Sequence, residues 1–145
     1  MNNEQQRVKP SQPITLFQNP KSGHCHKVSL FMALNDIPFT TIEPDMANGE
    51  HLGEAFSAMN VFKQVPVIDD NGTMLADSNA ILVYLANAYS DTTYWLGGDA
   101  TQKALIQRWL SVAAGELAKG PAAARLEYVF GATVHEPTVL ATSAA

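Results

Sequence analysis

Short apolar runs with period two alternate with longer stretches of helical spacing from residue 14 to residue 130. Ile14-Thr15-Leu16-Phe17 predicts a strand, ended by Asn19-Pro20 and the Lys21-Ser22-Gly23 turn. A helix follows from about Gly23 to Asn35, with Val28, Phe31, Met32 and Leu34 expected to face inward. Asn35 suits its C-terminal cap, and Pro38 prevents continuation. Phe39 to Glu43 reads as a second strand. A strand–helix–strand unit this short implies a parallel pair with a right-handed crossover.

Asn48-Gly49-Glu50 is a turn signal before a short helix from about His51 to Met59. Pro66 to Asp69 and Thr73 to Ala76 flank Asp70-Asn71-Gly72, and Asn-Gly between apolar runs is a strong hairpin signal. Ile81, Tyr84, Leu85, Ala88 and Tyr89 recur at helical spacing, so a helix over Ser78–Tyr89 closes the unit. The expected class is α/β, in the order β-α-β-α-β-β-α, with a mixed four-stranded sheet and helices on its faces.

Ser90 to Gly98 reads as a connector. Asp99 can cap a helix running to about Lys119 with Leu105, Trp109, Val112, Ala113 and Leu117 along one stripe. Gly115 inside it is a mild weakness rather than a break. Gly120-Pro121 is read as the break, with Pro121 opening another helix to about Phe130. The expected organisation is a disordered leader (1–12), an α/β domain (13–90), a linker (91–98), two helices (99–131) and a disordered tail (132–145).

Composition narrows the function classes. The formal charge of −5 comes without clustered Lys and Arg, which argues against nucleic-acid binding. No apolar run approaches the roughly 18 residues needed to span a bilayer, so no membrane role is expected. Residues 1–12 are polar and lack the apolar centre of a secretion signal. The single cysteine, Cys25, excludes an intrachain disulfide and fits a reducing cytoplasm. His24 and His26 alternate along a helix and face apart, so no metal site is expected there.

Gln64-Val65-Pro66-Val67-Ile68 is the most informative segment. A proline at the mouth of a buried strand cannot donate to the ladder. If the Val65–Pro66 bond is cis, the Val65 N–H and C=O face outward, where an extended peptide can pair with them as an added strand. Asp77-Ser78 opens the following helix, whose free N–H groups and positive partial charge suit a carboxylate. Together these predict a site for a short anionic peptide.

The chain resembles the glutathione transferases. The resemblance rests on Asn19-Pro20-Lys21-Ser22-Gly23-His24-Cys25, on Asn60-Val61-Phe62-Lys63-Gln64-Val65-Pro66-Val67, on Ala76-Asp77-Ser78-Asn79-Ala80-Ile81 and on Gln107-Arg108-Trp109-Leu110. It implies a thioredoxin-like N-terminal domain followed by part of an all-α domain, with glutathione as co-substrate and no metal. By the same resemblance Ser22 stands where serine-type members, such as the phi and theta classes, keep the hydroxyl that activates the glutathione thiol. Ser22 is also a preferred N-cap residue, so capping alone would account for it. Val65 and Pro66 would meet the cysteinyl part of glutathione, Asp77 and Ser78 its γ-glutamyl end, and Gln64 a nearby group. His51 matches a histidine that phi-class members direct to the glycyl carboxylate, although Leu52 stands where those members typically carry lysine.

Cys25 leaves two readings open. Ser22-x-x-Cys25 resembles the Cys-x-x-Cys of thioredoxins and invites a redox site, whereas the second position of that motif usually lies inside the first helical turn and is structural. The family usually carries a complete helical domain, and only about two helices are expected here, leaving Leu105, Ile106, Trp109, Leu110 and Leu117 to be covered. Either a second subunit covers them, as in a homodimer, or the chain is a piece of something longer. Three functions follow: a transferase in which Ser22 activates glutathione toward a small hydrophobic electrophile, a glutathione-binding or dimerisation module without efficient turnover, and a glutathione-dependent redox protein using Cys25.

Overall fold

A computed structural model describes residues 8–131, which divide into two compact units at the Leu96–Gly97 boundary. The first unit contains β1 (Ile14–Phe17), α1 (Gly23–Leu34), β2 (Phe39–Ile42), a 3-10 turn (Glu50–Leu52), α2 (Glu54–Met59), β3 (Val67–Asp70), β4 (Thr73–Ala76), α3 (Ser78–Tyr89) and α4 (Thr92–Leu96). The strand order is β2-β1-β3-β4. β1 runs parallel to β2 and antiparallel to β3, which pairs antiparallel with β4. This is the mixed sheet expected from the sequence, in a thioredoxin-like arrangement.

Period-two alternation decides what each face of the sheet buries. Ile14, Leu16 and Ile68 are fully buried with Val28, Phe31 and Met32 of α1 and Ile81, Leu85 and Ala86 of α3. Phe17, alternating with Leu16, turns to the other face and meets Phe56 of α2 edge-on at 6.4 Å between ring centroids. α1 and α3 therefore cover one face and α2 the other.

Several local expectations need correction. Leu34 is 61% exposed, because it lies off the α1 stripe that Val28, Phe31 and Met32 define, and Cys25 completes that stripe instead. The helix expected over His51–Met59 is interrupted at Gly53, whose extended backbone (φ −67°, ψ 165°) separates the 3-10 turn from α2. A Cβ at Gly53 would lie 3.2 Å from the Glu50 carbonyl, a close approach that the glycine relieves. The Ser90–Gly98 connector contains α4, started by Asp91, whose carboxylate accepts from the Tyr94 N–H at 3.0 Å. Of the stretch read as a leader, residues 1–7 lie outside the described residues, as does the tail 132–145. Lys9 donates through Nζ to the Asn35 and Asp36 carbonyls, and Pro10 is buried.

In the second unit, α5 (Ala100–Ala114) is capped by Asp99, which accepts from the Gln102 N–H. It stops at Gly115 (φ −98°, ψ −94°) rather than running to Lys119, so that glycine is a terminator and not a mild weakness. Pro121 does not break the chain either. It lies in a π-helical turn, Ala118–Ala122, that runs directly into α6 (Ala123–Phe130). The wider turn accommodates a residue that lacks an N–H and clashes with a regular helical carbonyl.

Asn35, only 2% exposed, joins three elements of the first unit. Its Oδ1 accepts from Trp95 Nε1 at 3.0 Å and from Ser90 Oγ, and its Nδ2 donates to the Phe31 carbonyl at 2.9 Å. Asn35→Ala orphans the half-buried Trp95 indole N–H, so a loss of about 1–3 kcal/mol is expected, read by urea denaturation of the protein.

Candidate functional site

The sheet register gathers the predicted site at one edge. Phe17, the last residue of β1, pairs with Ile42 at the end of β2 and with Val67 at the start of β3. Val67 pairs in turn with Ala76 at the end of β4. The Ser22 turn, the segment before β3 and the Asp77-Ser78 start of α3 all leave the sheet there.

Ser22 is the N-cap of α1, with extended backbone (φ −81°, ψ 122°). Its Oγ accepts from the Cys25 N–H at 3.3 Å, and its carbonyl accepts from the His26 N–H at 2.9 Å. Capping uses a lone pair of the hydroxyl; its proton can serve the Cys25 sulfur, whose pKa the Ser22 hydrogen bond lowers, or another acceptor. The first turn of α1 carries no acidic residue to offset its positive end. The approach to the cap is held by Asn19, whose Oδ1 accepts from the Lys21 N–H and whose carbonyl accepts from the Ser22 N–H, both at 2.9 Å.

Cys25 is fully buried, and its Sγ accepts from the Asn19 N–H at 3.4 Å. Burial pushes its thiol pKa up, against the opposing hydrogen bonds from Ser22 and Asn19. A redox or mixed-disulfide role needs an accessible thiolate, and this sulfur is neither exposed nor acidified.

The Val65–Pro66 peptide bond is cis. Among the described residues neither the Val65 N–H nor its C=O has a hydrogen-bond partner. The loop leading there is fastened by Asn60, which is buried. Asn60 Nδ2 donates to the Gln64 carbonyl at 2.8 Å, and Asn60 Oδ1 accepts from the Phe62 N–H at 3.0 Å. The Gln64 residue is exposed. Asn60 was quoted in the sequence motif without a role, and nothing in the spacing alone shows that its amide shapes the loop.

Asp77 caps α3, its Oδ1 accepting from the Asn79 and Ala80 N–H groups at 2.9 Å each. Its backbone has positive φ (69°) with ψ 119°, outside the left-handed helical region and strained for a non-glycine residue. Ser78 is buried, with its Oγ 3.3 Å from His24 Nδ1 of α1. Lys27, one turn further along α1, donates to Asn79 Oδ1. Burial lowers the Lys27 pKa, and Asp77 opposes that shift. His24 and Lys27 are neighbours three apart on α1, and their spacing does not show that α3 meets them.

His51 lies on the 3-10 turn. Its Nδ1 is buried with no hydrogen-bond partner among the described residues. Lys63 Nζ donates to the Leu52 carbonyl at 3.3 Å, and Asn19 Nδ2 approaches Met46 Sδ at 3.6 Å, so this segment is tied to both neighbouring loops. Of the named site residues, Ser22, Val65, Pro66, Asp77 and Ser78 share the edge, with His51 and Gln64 on segments tied to it.

Residues 12–87 match the family model described as glutathione S-transferase, N-terminal domain. The chain belongs to the glutathione S-transferase family. It is 35% identical to human glutathione S-transferase theta-1 over 98 residues, which is 68% of this chain and 41% of that protein. Rat glutathione S-transferase theta-2 is 37% identical over 97 residues, 67% of this chain and 40% of its own length. The chain therefore spans about two fifths of the curated relatives it matches. Among solved structures, the Bombyx mori glutathione transferase BmGSTD1 superposes with a TM-score of 0.80 at 26% identity, covering 94% of this chain and 64% of that one. A Drosophila mojavensis homologue with bound glutathione gives 0.79 at 22% identity, covering 91% and 61%, a likeness of fold.

The buried Cys25 supplies a test that this transferase-family chain offers cleanly, because it is the single cysteine. Labelling by Ellman's reagent is expected to be about a thousandfold slower in the native protein than in denaturant, as an opening free energy of about 4 kcal/mol implies. Labelling at the free-thiol rate would contradict the burial.

Proposed function

We propose that this chain forms the glutathione-binding part of a glutathione transferase, with Ser22 as the catalytic residue. The observation that carries the reading is the convergence of three groups on one sheet edge: the unpaired Val65 backbone, the Ser22 hydroxyl at the start of α1, and Ser78 at the start of α3. A γ-linked tripeptide presents a matching set of groups. Its cysteinyl backbone pairs with the Val65 N–H and C=O beside Pro66, as an added strand does. Its γ-glutamyl carboxylate meets the Ser78 N–H and hydroxyl, with the exposed Asp77 carboxylate toward the ammonium. Gln64 lies alongside, and His51 is assigned to the glycyl carboxylate.

A free thiol with a pKa of about 8.5 is mostly protonated at neutral pH. Donation from the Ser22 O–H and the positive end of α1 both favour the thiolate, which then attacks a small hydrophobic electrophile. Lowering the thiol pKa by two units takes about 2.7 kcal/mol, within the reach of one charge-assisted hydrogen bond and a helix terminus. The homodimer belongs to this proposal, supported by Leu105, Trp109 and Leu117 of the second unit, each at least half exposed. The cytoplasm is the compartment we infer, where glutathione is abundant and a lone thiol stays reduced. No helix among the described residues is long and apolar enough to cross a membrane.

Isothermal titration with glutathione and conjugation of a chlorodinitrobenzene test the proposal together. Ser22→Ala is expected to retain glutathione binding while the bound thiol titrates near its free value, cutting the thiolate fraction at pH 7 by about 25-fold for a two-unit shift. Binding without conjugation in the wild type would favour the binding-module alternative, since the same geometry serves a module without turnover. Absence of binding sinks the reading.

Asp77→Asn separates ligand charge from capping. Asparagine keeps the acceptor and tolerates positive φ, so stability is expected to change by less than about 0.5 kcal/mol. Glutathione affinity is expected to fall about fivefold or more, read by the same titration, because the ammonium loses a charged partner.

A further inference from the structure

His24, an exposed residue of α1, reaches across to α3 at Ser78. Ser78 is buried, and its Oγ lies 3.3 Å from the His24 Nδ1. A serine hydroxyl has one proton to give. When His24 Nδ1 is bare it takes that proton, and Ser78 then offers only lone pairs to whatever approaches the start of α3. When Nδ1 carries a proton it donates to Ser78 Oγ, and the hydroxyl proton is released toward the ligand. We propose that His24 is a positioning residue for the γ-glutamyl carboxylate, orienting the Ser78 hydroxyl as donor and taking up a proton from solvent as that carboxylate binds.

The inference rests on the glutathione site assigned above and adds a residue outside the motifs that define it. The charged groups facing the ring are Lys27 from its own helix and Asp77 from α3. Partial desolvation of the ring, followed by Lys27, lowers the His24 pKa, while Asp77 raises it. The ring is therefore biased toward neutrality before the ligand arrives, and an anion beside Ser78 reverses that bias. Linkage then makes binding tighter as pH falls through the titration of the ring, since the bound state holds more protons.

S-methylglutathione is the probe, because it keeps both carboxylates and the ammonium but cannot form a thiolate. Calorimetry at pH 7 is expected to show affinity weakened roughly three- to tenfold in His24→Ala, the size of one ordinary net hydrogen bond. His24→Asn places an amide donor where Nδ1 stood and is expected to restore affinity to within about twofold. NMR titration of the ring, assigned by its absence in His24→Asn, reads the protonation directly. Saturation with S-methylglutathione is expected to raise its midpoint by about half a unit to one unit. An unchanged midpoint overturns the proposal, as does wild-type affinity in His24→Ala. If the wild type fails to bind the probe, the glutathione reading falls with it, whereas binding without a midpoint shift removes the role of His24 alone.

Discussion

The antiparallel register of β1 and β3 is the constraint on which the rest depends. Leu16 opposite Ile68 places both side chains in the core with α1 and α3, and Phe17 opposite Val67 fixes where the two strands meet at the site edge. A one-residue slip would turn Ile68 out of that core and present Val67 in its place. The same slip would carry Val65 away from the Ser22 turn. Core burial and site assembly are thus selected by one pairing, which is why four-residue strands suffice to hold a precise edge.

Helix placement needs a second set of restraints, because apolar contacts are non-directional. Asp70 at the end of β3 is buried and accepts from both Tyr84 and Tyr89 of α3. Burial first, and then the Asp70 carboxylate, push both phenol pKa values up, so the protons stay on the tyrosines. These bonds fix the turn and azimuth of α3 against the hairpin, and the Asp77 cap fixes its start. At the far end of α1, Asn35 performs the same service toward Ser90 and Trp95. The two helices whose N-termini face the site are each anchored by a buried polar residue remote from it.

Much of this was legible in the sequence, for physical reasons that also mark where reading stopped. The α3 boundaries follow from Asp77 and the Ile81–Leu85 spacing, and the hairpin from Asn71-Gly72, because capping and turn preferences act locally. Ser22, Val65 and Asp77 were nameable through family motifs, which are local strings. Gly53 and Gly115 were misread because a glycine's effect depends on the backbone conformation it takes: extended at one and off-helix at the other. His24–Ser78 and Asn60–Gln64 were invisible for another reason. Each is a hydrogen bond whose partners are chosen by loop and helix placement rather than by spacing.

Ser22 and Cys25 show how one helical turn can divide its chemistry. At the cap, Ser22 carries its hydroxyl at the helix end, where a lone pair takes the Cys25 N–H. Three residues on, the chain has turned inward, and Cys25 joins the buried stripe with its sulfur serving as an acceptor for Asn19. A Ser-x-x-Cys string therefore has a capping residue at its first position and a buried one at its last. The buried thiol also needs no partner cysteine, because the burial that raises its pKa keeps it protonated and inert. The order observed keeps the polarizable sulfur buried and leaves the hydroxyl at the helix end.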